Sequence, residues 1–516
     1  MMASPAFRSG VNSDQAFRGA PASRRGWCPS AHRPMESADG WLTRVRPTAG
    51  ILSADQAFWL ADQAANAGSG AMDLTRRANL QIRGLDPAAA ADFADSLVAM
   101  GLAASSPAAE ARRVVLAAAP SDRDPAAEAA VRALATALDD GLRALPDTPA
   151  PDFKTLPEKA LIVVNGGGRF AFCEHSADLR LDPAGTGCQR QWRLSVNGTR
   201  STATPVAMLP ADDHIAARAA LDVLSRALTA MPADSGRAGL RAALAALADD
   251  MPASALPPGS TLPCSQIGID CRKNDLHTLI VPGGARPRSD ALQTRDLAQQ
   301  LSGLTHEPGT SGSGSPIGVG DDQGGGVDAR KVRESRSGST GGPTIVPTIG
   351  PLADIGLGVG FAFGALDSDM LRALATLARD CGDGTLALLA NRTVVLPGAP
   401  AAFEHHRALR ALADAGAITA PDDPRLGLYA CRGRNGCPKG TTDTRADALA
   451  LAGPLSGYLS AGGRVHVSGC DKACARPAAT AGITLTAADG AYHVSGPDAH
   501  RLEHRTLPSK TNINGA

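Results

Sequence analysis

The sequence has few aromatic residues, no net charge and no long apolar run. Aromatic residues make up only 3% of the 516 residues while hydrophobic residues make up 43%, so the core must be built from Ala, Leu and Val. Lys and Arg together number 51, and so do Asp and Glu. The lack of a basic excess argues against general nucleic-acid binding. No apolar run approaches the roughly 20 residues that span a bilayer, so no membrane span is predicted.

The first 25 residues lack the apolar segment of a secretory signal. They are rich in Arg, Ser and Ala, as transit peptides are, but a disordered tail is the simpler interpretation. We therefore expect a cytoplasmic protein whose ten cysteines are kept in a reducing compartment. In that setting cysteines serve as metal ligands, redox groups or core residues more often than as disulfides.

One order of strands and helices occurs twice, which predicts an α+β pseudo-duplicate. Residues 26–103 read strand, helix, strand, helix, and residues 351–418 repeat that order. The segments TRRANLQIRG and ANRTVVLPG align across the two copies, and this alignment places Arg77 over Arg392.

A larger mixed α/β domain follows each small unit, over residues 104–250 in the first half and residues 419–497 in the second. The segment VVNGGGR, from Val163 to Arg169, aligns with VSGCDKA, from Val467 to Ala473. The segment TRADALALAGPLSGYL in the second half predicts one helix.

The halves are separated by a segment with little periodicity. Residues 251–350 are rich in Gly, Ser and Pro and predict a flexible linker or insertion. Residues 498–516 are expected to form a frayed tail.

Four cysteines of the second half form two closely spaced pairs. Cys431 and Cys437 form C-x5-C, and Cys470 and Cys474 form C-x3-C. Each pair follows a predicted strand in a Gly-rich loop, whose backbone N–H groups can donate hydrogen bonds to sulfur. Four thiolates suit a [4Fe–4S] cluster. A structural zinc site and four free buried cysteines remain the alternatives, although zinc sites usually use tighter C-x2-4-C pairs.

This cysteine pattern resembles the cluster signature of the nitrite and sulfite reductase superfamily. The opening WCPSAHRPMESADGWLTRVRPTAGILS and the variant SGCDKACARP are similar to one branch of it, the precorrin-3B synthases. The resemblance covers most of residues 26–496 apart from the Gly/Ser-rich middle. It implies a pseudo-duplicated fold of two ferredoxin-like half-domains and two larger mixed α/β domains, with the [4Fe–4S] cluster in the second half only.

The resemblance also implies a carboxylate-rich tetrapyrrole, which requires arginines because a guanidinium fork pairs a carboxylate with two donors. Arg44 and Arg46 alternate along a predicted strand, and a reductase-like LTTRQTFQFHG pattern aligns with LTRRANLQIRG. Taken singly, each arginine is better explained as a solvated strand residue, and only the set together favours a ligand site. The predicted tetrapyrrole-binding set is Arg44, Arg46, Arg77, Gln81, Arg83, Lys159, Arg392 and Arg476.

One substitution indicates that the tetrapyrrole is substrate rather than cofactor. Sulfite reductases resemble LPRKFK where this chain reads LPEKALI, so that Lys159 is kept while Leu161 replaces a second lysine. Reduction of a small dianion needs dense positive charge and proton donors. The loss of one lysine therefore weakens the reductase interpretation.

The branch implies an oxygen-dependent monooxygenase of aerobic cobalamin biosynthesis. Such an enzyme hydroxylates precorrin-3A at C20 with γ-lactone formation, using dioxygen, a [4Fe–4S] cluster, a possible non-haem iron and NADH or an electron-donor protein. The alternatives are a sirohaem-dependent nitrite or sulfite reductase, in which Cys474 would also ligate the sirohaem iron, and an inactive metal-stabilised tetrapyrrole-binding protein.

The spacing of the histidines and carboxylates reveals neither an iron site nor a nucleotide site. No 2-His-1-carboxylate triad can be assembled, and no G-x-G-x-x-G follows a strand to bind NADH. The conceivable iron donors are His32, Glu36, Glu404, His405 and His406, and each is better explained as a loop or surface-helix residue. The first cysteine loop also carries three basic residues, Arg432, Arg434 and Lys439. The simplest interpretation is that they are solvated. Alternatively, they favour reduction of the cluster or dock an acidic electron donor.

Overall fold

The computed structural model describes the parts of the chain on which the fold depends. The described residues are 29–117, 125–145, 147, 154–166, 170, 172, 175–184, 191–250, 348–353, 355–477, 481–488, 491–502 and 513–514. The predicted tail over 1–25, nearly all of the predicted linker, most of the C-terminal tail and Gly167–Arg169 of the first-half loop lie outside them. None of the described helices combines the length and apolar character needed to cross a bilayer.

Strands and helices alternate through both halves. The strands of the first half are β1 (Met35–Ser37), β2 (Gly40–Val45), β3 (Ile51–Ser53), β4 (Ala71–Leu74), β5 (Leu80–Leu85), β6 (Val115–Ala117), β7 (Ile162–Val164), β8 (Ala177–Ala184), β9 (Gln191–Gly198) and β10 (Thr204–Pro210). Those of the second half are β11 (Gly350–Leu352), β12 (Gly356–Gly360), β13 (Ala365–Asp367), β14 (Thr385–Leu388), β15 (Thr393–Pro397), β16 (Leu428–Ala430), β17 (Val465–Ser468), β18 (Ile483–Ala488), β19 (Ala491–Ser495) and β20 (Ile513–Asn514).

The helices follow the same repeat. They are α1 (Ala54–Ala67), α2 (Pro87–Ala99), α3 (Pro107–Ala111), α4 (Pro125–Arg143), α5 (Asp213–Ala230), α6 (Gly236–Asp250), α7 (Ser368–Cys381), α8 (Pro400–Phe403), α9 (Arg407–Asp414), α10 (Thr444–Ala450) and α11 (Ser456–Ser460). Local sequence sets their ends. Ser53 and Gln56 form a capping box at the start of α1, and Asp86 caps α2 immediately before Pro87.

The two small units exchange one strand each. The first sheet has the order β1-β2-β5-β4-β13, and the equivalent second sheet has the order β11-β12-β15-β14-β3. Strand β13 pairs antiparallel with β4, and β3 pairs antiparallel with β14. Each ferredoxin-like sheet is therefore completed by the other half of the chain, and one hydrophobic core runs through both.

The structure corrects the pairing of Arg77 with Arg392. Helices α1 and α7 both have 14 residues, and in both copies a tight turn joins the two strands that follow. In the first copy Thr75 N donates to Asn79 O and Ala78 has φ 53°; in the second, Leu389 N donates to Thr393 O and Arg392 has φ 67°. Arg392 is thus equivalent to Ala78, and the sequence alignment was wrong by one residue.

The two larger sheets have equivalent orders, β10-β9-β8-β7-β6 and β16-β17-β18-β19-β20. In each, three strands run parallel and a hairpin follows. The single helix predicted over TRADALALAGPLSGYL is instead two short helices, α10 and α11. Pro454 lies between them and lacks the N–H that would continue the first helix.

Candidate functional site

An open cleft brings together three of the predicted arginines. Arg44 and Arg46 reach it from the end of β2, and Arg77 reaches it from the turn between β4 and β5. Asn79 and Arg113 also line it. The cleft therefore presents several guanidinium groups to one volume, as a carboxylate-rich ligand requires.

Strand alternation places these side chains. Val45 packs into the core, while the neighbouring Arg44 and Arg46 are half-buried on the opposite face. Arg46 Nη1 donates to the carbonyls of Glu110 and Arg113 at 3.0 and 3.2 Å. Arg44 Nε is buried with no hydrogen-bond partner among the described residues. The N–H group of that nitrogen therefore has no acceptor among the described residues.

Gln81 and Lys159 are not among the residues that line the cleft. Gln81 lies opposite Arg44 in the pairing of β2 with β5, and it is half-buried. Lys159 has an exposed side chain, and its carbonyl oxygen accepts from Arg77 Nη2 at 3.1 Å. Leu161, which replaces the second lysine of the reductase pattern, lines the cleft itself. The cleft wall is therefore apolar at that point.

Arg83 has other partners than a ligand. Its side chain is only 5% exposed and it forms a bidentate pair with Asp39, from Nε at 2.8 Å and Nη2 at 2.7 Å. Its Nη2 also donates to Gly436 O at 3.0 Å, and Ser37 Oγ donates to the same carbonyl at 2.7 Å. In this arrangement Arg83 holds the residue that precedes Cys437, rather than facing the cleft.

Asp73 is the centre of a second set of contacts to the cysteine loop. Arg432 donates to both of its oxygens at 2.9 Å, and Arg445 from α10 donates to Oδ1 at 2.9 Å. Burial alone would raise the pKa of Asp73, but Arg445, Arg432 and Arg83 together hold it below its usual value. Asp73 therefore remains ionised and ties the residue after Cys431 to β4.

This pairing corrects the solvated-loop interpretation for one of the three basic residues. Arg432 is half-buried against Asp73, whereas Arg434 and Lys439 are exposed. Sequence reasoning missed Asp39 and Asp73. Asp73 lies 359 residues from Arg432, and Asp39 acts on the cysteine loop only through Arg83, 44 residues away, so no local pattern marks either aspartate.

The four clustered cysteines lie on two loops that contact each other. Gly469 N donates to Cys431 Sγ at 3.2 Å, and Thr441 N donates to Gly469 O at 3.3 Å. Burial raises the pKa of Cys474, and the neighbouring Cys470, Cys431 and Cys437 raise it further. The four predicted ligands are thus close enough for the other three to raise the pKa of Cys474. One of them, Cys431, already accepts a hydrogen bond from a backbone N–H.

The described cysteines do not form a site for a single metal ion. Within the described ranges, no three His, Cys, Asp or Glu side chains are close enough together to hold one metal ion. The cysteines of a cluster each bind a different iron and therefore lie farther apart. Four thiols on two adjoining loops are the number of ligands that a [4Fe–4S] cluster takes.

The conceivable donors to a non-haem iron have structural roles or are exposed. His32 Nε2 lies 2.7 Å from Ala104 O, and Glu36 is exposed on β1. Glu404 and His405 are exposed between α8 and α9, not on the predicted surface helix, and His406 caps α9. The described residues therefore do not provide a mononuclear iron site.

A second group of basic residues lies near the cysteine loops. Arg392 stands over the ring of Tyr429, 5.8 Å from its centroid, and burial lowers its pKa to about 10. Arg76 Nη1 donates to the carbonyl of Arg476 at 2.5 Å, which connects the cleft side to the second cysteine loop. His466 lies beside Arg392 and Arg476 and is 0% exposed. Sequence reasoning missed it, although a histidine in an otherwise apolar strand was a signal.

Three comparisons with known proteins agree with this architecture. Residues 33–100 match the model of the nitrite/sulfite reductase ferredoxin-like half domain. A precorrin-3B synthase from Sinorhizobium sp is 28% identical over 476 residues, which cover 91% of this chain and 82% of that protein. The solved structure of the Mycobacterium tuberculosis NirA protein superposes with a TM-score of 0.54 at 17% identity, covering 88% of this chain and 74% of that one.

The resemblance drawn from the cysteines is therefore confirmed. The chain resembles precorrin-3B synthase over most of its length, and residues 33–100 resemble the nitrite/sulfite reductase ferredoxin-like half domain. Its pseudo-duplicated α+β fold is similar to that of the NirA structure.

Proposed function

We propose that this chain is an oxygen-dependent monooxygenase that converts precorrin-3A to precorrin-3B. One atom of dioxygen enters the substrate as a hydroxyl at C20 while an acetate side chain closes a γ-lactone. The observation that carries the proposal is the position of the four cysteines. They lie on two adjoining loops, and Arg76, the neighbour of the cleft residue Arg77, hydrogen-bonds to the carbonyl of Arg476 just after the last cysteine. The chain resembles precorrin-3B synthase over most of its length.

Cys431, Cys437, Cys470 and Cys474 would hold the [4Fe–4S] cluster. When bound, such a cluster transfers electrons one at a time. The protein contributes a backbone donor from Gly469 to Cys431 Sγ, which stabilises the thiolate. The Asp39 and Asp73 contacts fix the chain on both sides of the first cysteine loop.

The arginines would bind the carboxylates of the substrate. Arg44, Arg46 and Arg77 offer guanidinium groups in the cleft, and Arg392 and Arg476 do so near the cysteine loops. Guanidinium groups remain charged when they are partly buried, so they can bind several carboxylates without losing their protons. Arg83 is a positioning residue in this account, because its donors are already engaged.

The apolar wall at Leu161 supports a substrate role for the tetrapyrrole. A site for a small dianion needs positive charge at that position, whereas the face of a macrocycle needs an apolar surface. The reaction consumes two electrons and two protons, and the second oxygen atom leaves as water. NADH or a carrier protein would supply the electrons. No step is assigned to a mononuclear iron, because the described residues do not fit one.

Labelled dioxygen tests the proposal. Precorrin-3A, a reductant and ¹⁸O₂ are mixed with the purified protein, and the product mass is measured. We expect a gain of one ¹⁸O atom with the wild type and with Cys381→Ser, which changes a free cysteine at the end of α7. Cys470→Ser should give no product. Unlabelled or unchanged substrate with the wild-type protein would overturn the proposal.

A further inference from the structure

The buried ring of His466, on the second strand of the last sheet, has no hydrogen-bond partner among the described residues. It lies on β17 and is 0% exposed, and neither Nδ1 nor Nε2 has a partner among the described residues. Buried polar groups are nearly always hydrogen-bonded, because burial removes their hydrogen bonds to water and a group that gains no new partner destabilises the fold. The partner of this ring is therefore to be sought outside the described chain.

The internal repeat shows that the fold does not need a histidine at this position. The pairing of β6 with β7 matches the pairing of β16 with β17, and it places Val163 where the second half has His466. The sequence alignment of Val163 with Val467 was therefore wrong by one residue. Val163 is also 0% exposed and belongs to the apolar core. The same architecture is thus built with valine in the half that has no clustered cysteines.

The surroundings of His466 indicate which kind of ligand group could accept a hydrogen bond from its ring. Tyr429 and Thr484 flank it in register on β16 and β18, on the face opposite the apolar core of this sheet. Burial, together with the charges of Arg476 and Arg392, lowers the pKa of His466 to about 4. At neutral pH the ring is therefore uncharged and has one N–H to donate.

The two arginines place positive charge beside His466, and within the described part of the chain Asp73 acts on Arg392 only without a direct ion pair. Neither Arg392 nor Arg476 forms an ion pair within the described part of the chain. Two guanidinium groups and one neutral N–H donor together match a carboxylate. Arg476 is exposed, so its side chain can move aside when such a group enters.

We propose that His466 is a substrate-binding residue whose ring N–H donates to a carboxylate of the bound tetrapyrrole between Arg392 and Arg476. This inference rests on the tetrapyrrole part of the proposed function and adds a residue to its binding site. The neutral imidazole fixes the direction of the carboxylate, while the two arginines provide the attraction.

The test compares His466→Val, which installs the residue of the first half, with the wild type. Uroporphyrin, a stable carboxylate-rich porphyrin, is titrated into each protein and its fluorescence is followed. We expect about tenfold weaker binding by His466→Val, because a hydrogen bond to a charged group is lost. The thermal unfolding midpoint should be equal or higher and the iron content unchanged, since an unpaired polar group has been replaced by an apolar one.

Two further variants complete the experiment. His466→Gln retains a donor and should bind within about threefold of the wild type. His493→Val changes an exposed histidine of the same sheet and should bind as the wild type does. Equal affinity of His466→Val and wild type would overturn the inference, as would a loss of affinity with a lowered midpoint that glutamine does not restore. Failure of the wild type to bind uroporphyrin would instead count against the proposed function.

Discussion

Asp73 is the residue on which the first cysteine loop depends most. One buried carboxylate accepts hydrogen bonds from Arg432 and Arg445 and lies 3.8 Å from Arg83. Because Arg432 follows Cys431 directly, this contact sets the position of a predicted cluster ligand. The carboxylate also offsets part of the positive charge that three arginines place near the cysteines.

We expect Asp73→Asn to lower the free energy of unfolding by about 3 kcal/mol, since it leaves buried arginines without their counter-charge. Iron and sulfide per chain should fall as well, because the loop loses its anchor. Urea unfolding and an iron assay measure the two effects. The matched control is Asp62→Asn, which removes an exposed pair with Arg372 and should cost less than about 1 kcal/mol. Equal effects of the two substitutions would contradict this role of Asp73.

His466 predicts a pH dependence of stability. Its pKa falls from 6.5 to about 4 on folding because it is buried and faces Arg476 and Arg392. The unfolded chain therefore binds the proton more readily, so stability is full above pH 6.5 and is lost as the pH falls toward 4. The loss amounts to about 3 kcal/mol. The free energy of unfolding of the wild type should therefore fall progressively below that of His466→Val, which has no titrating group at this position, between pH 6.5 and 4. An unchanged difference between the two proteins over this range would contradict the prediction.

The proximity of the two cysteine pairs could be predicted from the sequence, but the residues that anchor the first cysteine loop could not. C-x5-C and C-x3-C are local patterns, and the loops that carry them do lie together. Arg432 pairs with Asp73 of the other half of the chain, and Arg83, which Asp39 holds, donates to Gly436 O of the other half, so no spacing rule connects these anchors with the loop. Strand alternation placed Arg44 and Arg46 on one face correctly. It could not show that Arg83, two residues beyond Gln81 on β5, would be buried by Asp39.

At the scale of elements, the loop between β16 and α10 depends on its backbone shape. Gly433 has φ +58°, and a Cβ there would overlap the carbonyl oxygen of Thr442. A left-handed conformation in such close contact accepts only glycine without strain. The sequence indicated a Gly-rich loop but not which of its glycines was required.

Gly433→Ala should therefore displace the loop and reduce the iron bound per chain to less than half. Gly453→Ala is the control, because a Cβ at Gly453 would meet nothing within 4 Å. Iron and sulfide are assayed for both variants after anaerobic purification. Full iron in Gly433→Ala would show that the loop tolerates the added methyl group.

At the scale of the whole molecule, the exchange of β3 and β13 makes the halves interdependent. The repeat was visible in the sequence because its helices and strands recur in one order. The exchange was not, because three-residue strands carry too little pattern to reveal their partner. Neither half has a complete ferredoxin-like sheet of its own.

Two separately produced fragments, residues 26–250 and 348–516, should consequently fold only when they are combined. Each fragment alone leaves a sheet edge unpaired and half of a shared core exposed. Co-expression with a tag on one fragment should recover both in a stable complex. Circular dichroism with cooperative unfolding from either fragment alone would contradict the interdependence.

The central claim is that the four cysteines hold a [4Fe–4S] cluster in a protein that takes its tetrapyrrole as substrate. The most direct measurement is the visible absorption spectrum of protein purified without oxygen, with iron and acid-labile sulfide assayed on the same sample. The account predicts a broad charge-transfer shoulder, about four irons and four sulfides per chain, and no haem bands. Sharp sirohaem bands would contradict it in favour of a nitrite or sulfite reductase, and a protein that stays colourless after cluster reconstitution would contradict both enzyme assignments.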